Sequence, residues 1–169
     1  MPEVDLHSAL ISAFAWISDR GNPWSSADRT RWLRDPRIVR EIGAALADTL
    51  EDETPTVVIG PQTSGYALGA LVAAATGAGF AGVEKGERRY TDSDPWLEAT
   101  TPLDYKGRNI TLAIRKNLLR GSDRVMIVDD WADSGGQLLA LHKIVAISGA
   151  RLVGTAVIVD GLSSHAIRR

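Results

Sequence analysis

Two kinds of apolar spacing alternate along this chain. Leu6, Leu10, Phe14 and Ile17 recur at helical intervals and predict a first amphipathic helix that ends near residues 19–23. Residues 24–34 break that pattern. Asp35-Pro36 then reads as an N-cap followed by proline at the first helical position, and Ile38, Ile42, Leu46 and Leu50 mark the buried stripe of the helix it opens. Thr56-Val-Val-Ile-Gly60 has the unbroken apolar run of a strand covered on both faces, and it delivers the chain to a polar tip, Pro61-Gln-Thr-Ser-Gly-Tyr66. A closely packed Ala- and Gly-rich helix at 67–76 and a strand at 79–83 follow. From Gly86 to Arg108 the apolar periodicity stops, over a length that in a compact domain marks a functional lid or a disordered segment, of which the lid is preferred. Ile110, Leu112 and Ile114 alternate with Thr111 and Ala113, as in a half-exposed strand, and 152–159 is a last strand. Strand-helix-strand units in succession imply an α/β fold with a mostly parallel sheet and right-handed crossovers.

The stretch 124–137 concentrates the chemistry. Val125 to Val128 is a second unbroken apolar run, Asp129 and Asp130 follow at once, and Ala132, Asp133, Ser134, Gly135, Gly136 and Gln137 lead into a helix marked by Leu138, Leu141 and Val145. A glycine turn lets backbone N–H groups approach a ligand, and the first free N–H groups of a helix attract a phosphate. Adjacent carboxylates at a strand's carboxyl end can accept hydrogen bonds from a pair of sugar hydroxyls, or hold Mg²⁺ through water. Side by side, the two features suit a ribose 5-phosphate.

This stretch resembles the signature of the type I phosphoribosyltransferases, which bind 5-phosphoribosyl-1-pyrophosphate (PRPP). The resemblance implies a single domain: a central, mostly parallel β-sheet flanked by helices, a flexible lid at 86–108, and a small hood from residues 1–34 and 161–169. It implies that Asp129 and Asp130 hold the ribose hydroxyls and a water-bridged Mg²⁺, and that Ala132, Asp133, Ser134, Gly135, Gly136 and Gln137 bind the 5-phosphate. Pyrophosphate falls to Gln62, Thr63, Ser64, Gly65 and Lys85; beyond the resemblance, Arg88 and Arg89 on the lid are candidates to supply further positive charge on closure, the alternative being two solvated arginines with no specific role. Within the family the adenine enzymes look closest, through Leu33-Arg-Asp-Pro36, Thr63-Ser64-Gly65-Tyr66 and Leu103-Asp-Tyr-Lys-Gly107. By that similarity the Gln62–Thr63 peptide is the candidate for a non-proline cis bond.

The chain departs from the pattern at identifiable places. Ser64 stands where the family has arginine, Glu84 replaces the arginine beside Lys85, and Asp104 replaces the glutamate implicated in proton handling. Asp133 resembles instead the 6-oxopurine enzymes, so Asp104 and Asp133 are both candidate acid-base groups. Trp24, Trp32 and Trp131 are available to stack on a base, Trp131 foremost, with a place in the hydrophobic core as the alternative for each, and Tyr105, next to Asp104, is a further base-side candidate. The implied reaction is Mg²⁺-dependent transfer of the phosphoribosyl group from PRPP to a purine, adenine favoured. The alternatives are a 6-oxopurine or specialised heterocycle as acceptor, or a PRPP-binding regulator with weak turnover.

Bulk properties narrow the surroundings. A chain of 169 residues with 44% hydrophobic content suits one domain with a real core. Net charge is -2, so there is no basic footprint for nucleic acid, and Arg29, Arg31, Arg34, Arg37 and Arg40, interleaved with Asp28, Asp35 and Glu41, read as a solvated charged face. Cysteine is absent, which excludes disulfides and thiolate metal sites and fits a cytoplasmic protein. The acidic start lacks a secretory signal's basic region, and the uncharged stretch 60–83 is too interrupted by Pro, Gly and polar residues to span a membrane. The family resemblance adds the expectation of a homodimer.

Overall fold

A computed structural model describes residues 5–18, 26–50, 53–86, 93–103 and 107–162. Arg88, Arg89, Asp104, Tyr105 and Trp24 lie outside them. Six strands form the main sheet: β3 (Val57–Pro61), β4 (Gly79–Lys85), β5 (Trp96–Thr100), β6 (Thr111–Arg115), β7 (Arg124–Ala132) and β8 (Arg151–Asp160), in the order β5-β6-β4-β3-β7-β8. β4, β3, β7 and β8 run parallel to one another, and β6 runs antiparallel to both β4 and β5. The expected mostly parallel α/β sheet is therefore present, with an antiparallel margin.

Helices α2 (Pro36–Ala47) and α3 (Ser64–Thr76) cover one face, and α4 (Gly136–Ser148) the other. Alternate residues of the central strands feed the two cores: Ile59, Val125 and Ile127 pack toward α4, while Val58, Met126 and Val128 pack toward α2 and α3. That two-sided burial explains why these strands carry no polar break. Helix α2 begins as predicted. The Asp35 carboxylate accepts the N–H of Arg37 at 2.9 Å, a cap of the kind that contributes about 1 kcal/mol, and Ile38, Ile42 and Leu46 are buried. Among the described residues no helix is long and apolar enough to cross a membrane.

Three expectations fail locally. The first helix, α1 (Leu6–Ala13), stops before Phe14, whose backbone is extended; Ala15–Ile17 (β1) pairs antiparallel with Ser26–Asp28 (β2) in a small separate hairpin. Phe14 leaves the helix to stack on Trp32 and Trp131, at ring separations of 6.0 and 6.1 Å, so tertiary aromatic packing overrides the helical spacing. The aperiodic segment 86–108 contains strand β5, whose only buried residue is Leu97. A lone inward side chain on an edge strand leaves almost no periodic signal. Finally, β6 is not half-exposed: Leu112, Ala113 and Ile114 are all fully buried, Leu112 and Ile114 within the core that faces α4, while Ile110 lies outside the strand and is exposed.

Candidate active site

Strand β7 runs on through Asp129 and Asp130 to Ala132, so the two carboxylates belong to the sheet and are each 5% exposed. Oδ1 of Asp129 accepts the N–H of Asp130 at 2.9 Å. Burial pushes the Asp129 carboxyl up to about 7; the negative charge of Asp130 reinforces this, and the Asp130 N–H and the positive charge of Lys85 oppose it. Beyond Ala132, Asp133 and Ser134 are exposed, and Gly135 turns the chain with a φ of 76°, in the left-handed region that favours glycine. Ser134 Oγ accepts the N–H of Gly136 at 3.4 Å, and α4 starts there, its first turn opening on the carboxyl edge of the sheet. A cavity of about 310 Å³ lies against residues 131–138, roofed by Thr101, Pro102, Leu103, Arg108 and Ile110 of the β5–β6 connection. The side-chain oxygen Oε1 of Gln137, which lines it, is buried without a hydrogen-bond partner among the described residues.

The second turn stands one strand away, after β3. The Gln62–Thr63 peptide is cis, as expected, and α3 begins at Ser64 rather than at Ala67. Its closeness to the strand depends on glycine at two positions: a Cβ on Gly65 would lie 2.5 Å from Pro61 Cδ, and one on Gly60 2.1 Å from the Gly65 carbonyl oxygen. Gln62 donates its N–H to the Val83 carbonyl at 2.9 Å, and its side-chain oxygen accepts the N–H of Lys85 at 3.0 Å. Thr63 is exposed, Ser64 partly buried, and Lys85 ends β4 with an exposed side chain. Glu84, beside it, accepts a 2.8 Å hydrogen bond from the Tyr66 hydroxyl.

The hairpin β1–β2 stands over the tip of β7. Half-buried Trp131 meets Phe14 in a stacked arrangement and Trp16 edge-on, both at 6.1 Å. Trp32 is not available as a stacking platform: it is 3% exposed, and its indole N–H donates to the Leu10 carbonyl at 2.9 Å. Arg29 is more than a charge on a solvated face: its side chain stays partly exposed, but its Nη1 lies 3.0 Å from Asp130 Oδ2. Sequence reasoning missed Phe14, Trp16, Arg29 and the cavity residues Thr101, Arg108 and Ile110. Only Trp16 carried a visible hint, as an aromatic placed on the polar side of the first helical pattern.

The structure thus brings together Asp129, Asp130, Ala132, Asp133, Ser134, Gly135, Gly136, Gln137 and Trp131 on one tip, with Gln62, Thr63, Ser64, Gly65 and Lys85 on the neighbouring ones. Among the described residues no group of three or more His, Cys, Asp or Glu side chains can hold a metal by itself. Two oxygen donors at a strand end still fit Mg²⁺, which keeps most of its waters and is bound through one or two carboxylates together with substrate phosphates. A larger groove of about 430 Å³ runs beside the first half of β8, at the opposite end of the sheet. Its Arg151 is already committed to an ion pair with Glu53, so the smaller cavity at the carboxyl edge is the candidate site.

Buried paired acids beside a glycine turn and a helix N-terminus, at the carboxyl edge of a parallel sheet, define a ligand-binding α/β domain suited to a phosphorylated sugar. The family model described as phosphoribosyl transferase domain matches residues 29–166, and the chain belongs to that family. An adenine phosphoribosyltransferase of Natranaerobius thermophilus is 31% identical over 133 residues, 79% of this chain and 75% of that protein. A xanthine phosphoribosyltransferase of Deinococcus deserti is 31% identical over 125 residues, 74% of this chain and 64% of that protein. Among solved structures, adenine phosphoribosyltransferase from Rhodothermus marinus superposes with a TM-score of 0.78 at 26% identity, covering 95% of this chain and 93% of the other.

Proposed function

We propose that this protein transfers the 5-phosphoribosyl group of PRPP to a ring nitrogen of a purine, adenine foremost, releasing pyrophosphate. One observation carries the reading: a pair of carboxylates 5% exposed is separated by only four residues, 131–134, from a left-handed glycine, Gly135, and the first turn of α4 that follows it. Burying two acids side by side is costly unless a ligand uses them. Relatives named adenine phosphoribosyltransferase support the acceptor.

In the mechanism the protein mainly positions groups. Asp129 and Asp130 accept hydrogen bonds from the two ribose hydroxyls, and the N–H groups of residues 134–137 hold the 5-phosphate. The N-terminal turn of α3, with Thr63, Ser64 and Gly65, receives the pyrophosphate, and Lys85 adds a positive charge near the acidic pair, where it acts on Asp129. Asp129 and Asp130 would hold Mg²⁺ through water, and the ion would supply charge neutralisation for the leaving pyrophosphate. The C1–oxygen bond of the sugar breaks through an oxocarbenium-like state, as in glycoside chemistry, and the acceptor nitrogen forms the new bond. A proton leaves the purine ring to a carboxylate, Asp133 at the loop or Asp104 on the connection. Trp131 and Tyr105 face the base, while Arg88 and Arg89 close over the pyrophosphate from the lid and exclude water. By the same resemblance we place the protein in the cytoplasm as a homodimer.

A second acceptor class is favoured by one feature, Asp133, the residue of the 6-oxopurine resemblance, which is exposed and lines the cavity; the relative named xanthine phosphoribosyltransferase adds weight. Incubation with PRPP, Mg²⁺ and single bases, read by pyrophosphate release, separates the two. Release with adenine supports the first reading, and release with hypoxanthine, guanine or xanthine the second. Tight PRPP binding without release on any base leaves a binding regulator.

A further inference from the structure

Arg29 follows β2 directly, a hundred residues before the acidic pair, and its Nη1 lies 3.0 Å from Asp130 Oδ2. The Asp130 side chain is 7% exposed and that of Arg29 39%. The contact has ion-pair length without the alignment of a directed N–H···O bond, and Oδ2 is buried with no hydrogen-bond partner among the described residues. Asp130 is therefore held by charge while its oxygen keeps the capacity to accept a hydroxyl proton.

The hairpin that carries Arg29 grips the neighbouring residue as well. Ala15 pairs with Asp28, which sets Phe14 and Arg29 alongside each other as the next residues outward, and Phe14 stacks on Trp131. Asp28 in turn fixes the exit of β2: its Oδ1 accepts both the N–H of Thr30 at 3.1 Å and the Thr30 hydroxyl at 2.6 Å. Two adjacent residues at the end of β7 are thus held by one hairpin, Asp130 through charge and Trp131 through rings.

We propose that Arg29 is a positioning residue that couples the β1–β2 hairpin to the ribose clamp, holding Asp130 in place for the sugar hydroxyls. The inference rests on the ribose-phosphate reading of Asp129 and Asp130. Without the guanidinium, Asp130 is a buried carboxylate next to another, with no cation in contact; it turns away, and the sugar loses an acceptor. The hairpin loses its polar attachment at the same time, so sugar binding and hairpin docking weaken together.

Titration calorimetry with PRPP and Mg²⁺ on the wild type, Arg29→Gln and Arg29→Lys tests this, together with steady-state kinetics. Arg29→Gln is expected to weaken PRPP about tenfold and raise its KM in parallel, with kcat at saturating PRPP changed by less than about threefold. Arg29→Lys, which keeps the charge, recovers most of the affinity. Unchanged PRPP affinity in Arg29→Gln, or a lysine variant as impaired as the glutamine one, overturns the assignment. Should Arg29→Gln not fold, Thr30→Val loosens the Asp28 turn with the guanidinium intact; it is expected to weaken PRPP about threefold, and no change there also overturns it. Wild-type protein that binds no PRPP removes the ribose-phosphate reading and this role with it, whereas binding by wild type and glutamine variant alike removes Arg29 alone.

Discussion

The side-chain oxygen of Gln62 accepts the backbone N–H of Lys85 at 3.0 Å, while Gln62's own N–H donates to Val83 at 2.9 Å. The residue is a strut between the β3–α3 turn and the end of β4, the two pieces proposed to receive pyrophosphate. Gln62→Ala removes the side-chain half of the strut and leaves the Lys85 N–H to water. PRPP KM is expected to rise about threefold to tenfold, with a smaller loss in kcat, read from initial rates of pyrophosphate release.

Asp129 supplies a pH dependence whose sign is fixed by its environment. Its carboxyl, 3.8 in ordinary surroundings, is pushed up to about 7 by burial, so ionising it in the folded state is unfavourable. Its share of stability is complete below about 4, declines as pH rises toward 7, and stays low above that. Asp129→Asn abolishes the decline: ligand-free protein should gain about 1–3 kcal/mol at pH 8 and nothing at pH 4, measured by denaturant unfolding. PRPP with Mg²⁺ selects the ionised carboxylate, so wild-type affinity should fall as pH drops below about 7. A pH-independent PRPP affinity between 5 and 8 removes Asp129 from the clamp.

Replacing both acids, Asp129→Asn with Asp130→Asn, is expected to abolish PRPP binding while leaving the circular dichroism spectrum of the fold intact. The change keeps volume, removes the charge and replaces one acceptor oxygen on each side chain with an amide donor. Retained affinity in the double variant counts decisively against the ribose assignment.

How much of this was legible in the chain depended on whether burial was two-sided or contextual. Val57–Ile59 and Val125–Val128 are covered on both faces, so composition alone marked them, and the acids and glycines that follow could be read as a site because they sit where such strands must end. Trp96–Thr100 escaped notice because an edge strand with one buried residue has no period to detect. Phe14 fits helix spacing equally well and was diverted by Trp32 and Trp131, partners that sequence distance hides. Arg29 looked solvated among alternating charges; only the folded hairpin brings it to Asp130.

Gly65→Ala tests the close approach of the second turn to its strand. A Cβ there would sit 2.5 Å from Pro61 Cδ and 3.0 Å from the Gly60 carbonyl carbon, and neither neighbour is the tip of a flexible side chain. The turn must shift, at an expected cost of about 1–3 kcal/mol in unfolding free energy, with a matching loss of pyrophosphate affinity. A variant of wild-type stability means the turn has room the geometry denies.

Ser64 is the departure with the most direct consequence for turnover. It is the first residue of α3, at the positive end of a helix whose N-cap, Thr63, makes no side-chain cap, and the family resemblance puts an arginine there. Serine offers a hydroxyl where a guanidinium would meet two phosphoryl oxygens at once and gain strength as the leaving group takes on charge. Ser64→Arg is therefore expected to raise kcat/KM for PRPP about tenfold, at a stability cost of about 0.3–1 kcal/mol from placing a cation at a helix N-terminus. Measured pyrophosphate inhibition should tighten alongside. An arginine variant with unchanged kcat/KM means that the α3 backbone and Lys85 already neutralise the leaving group, and that the serine costs this enzyme nothing.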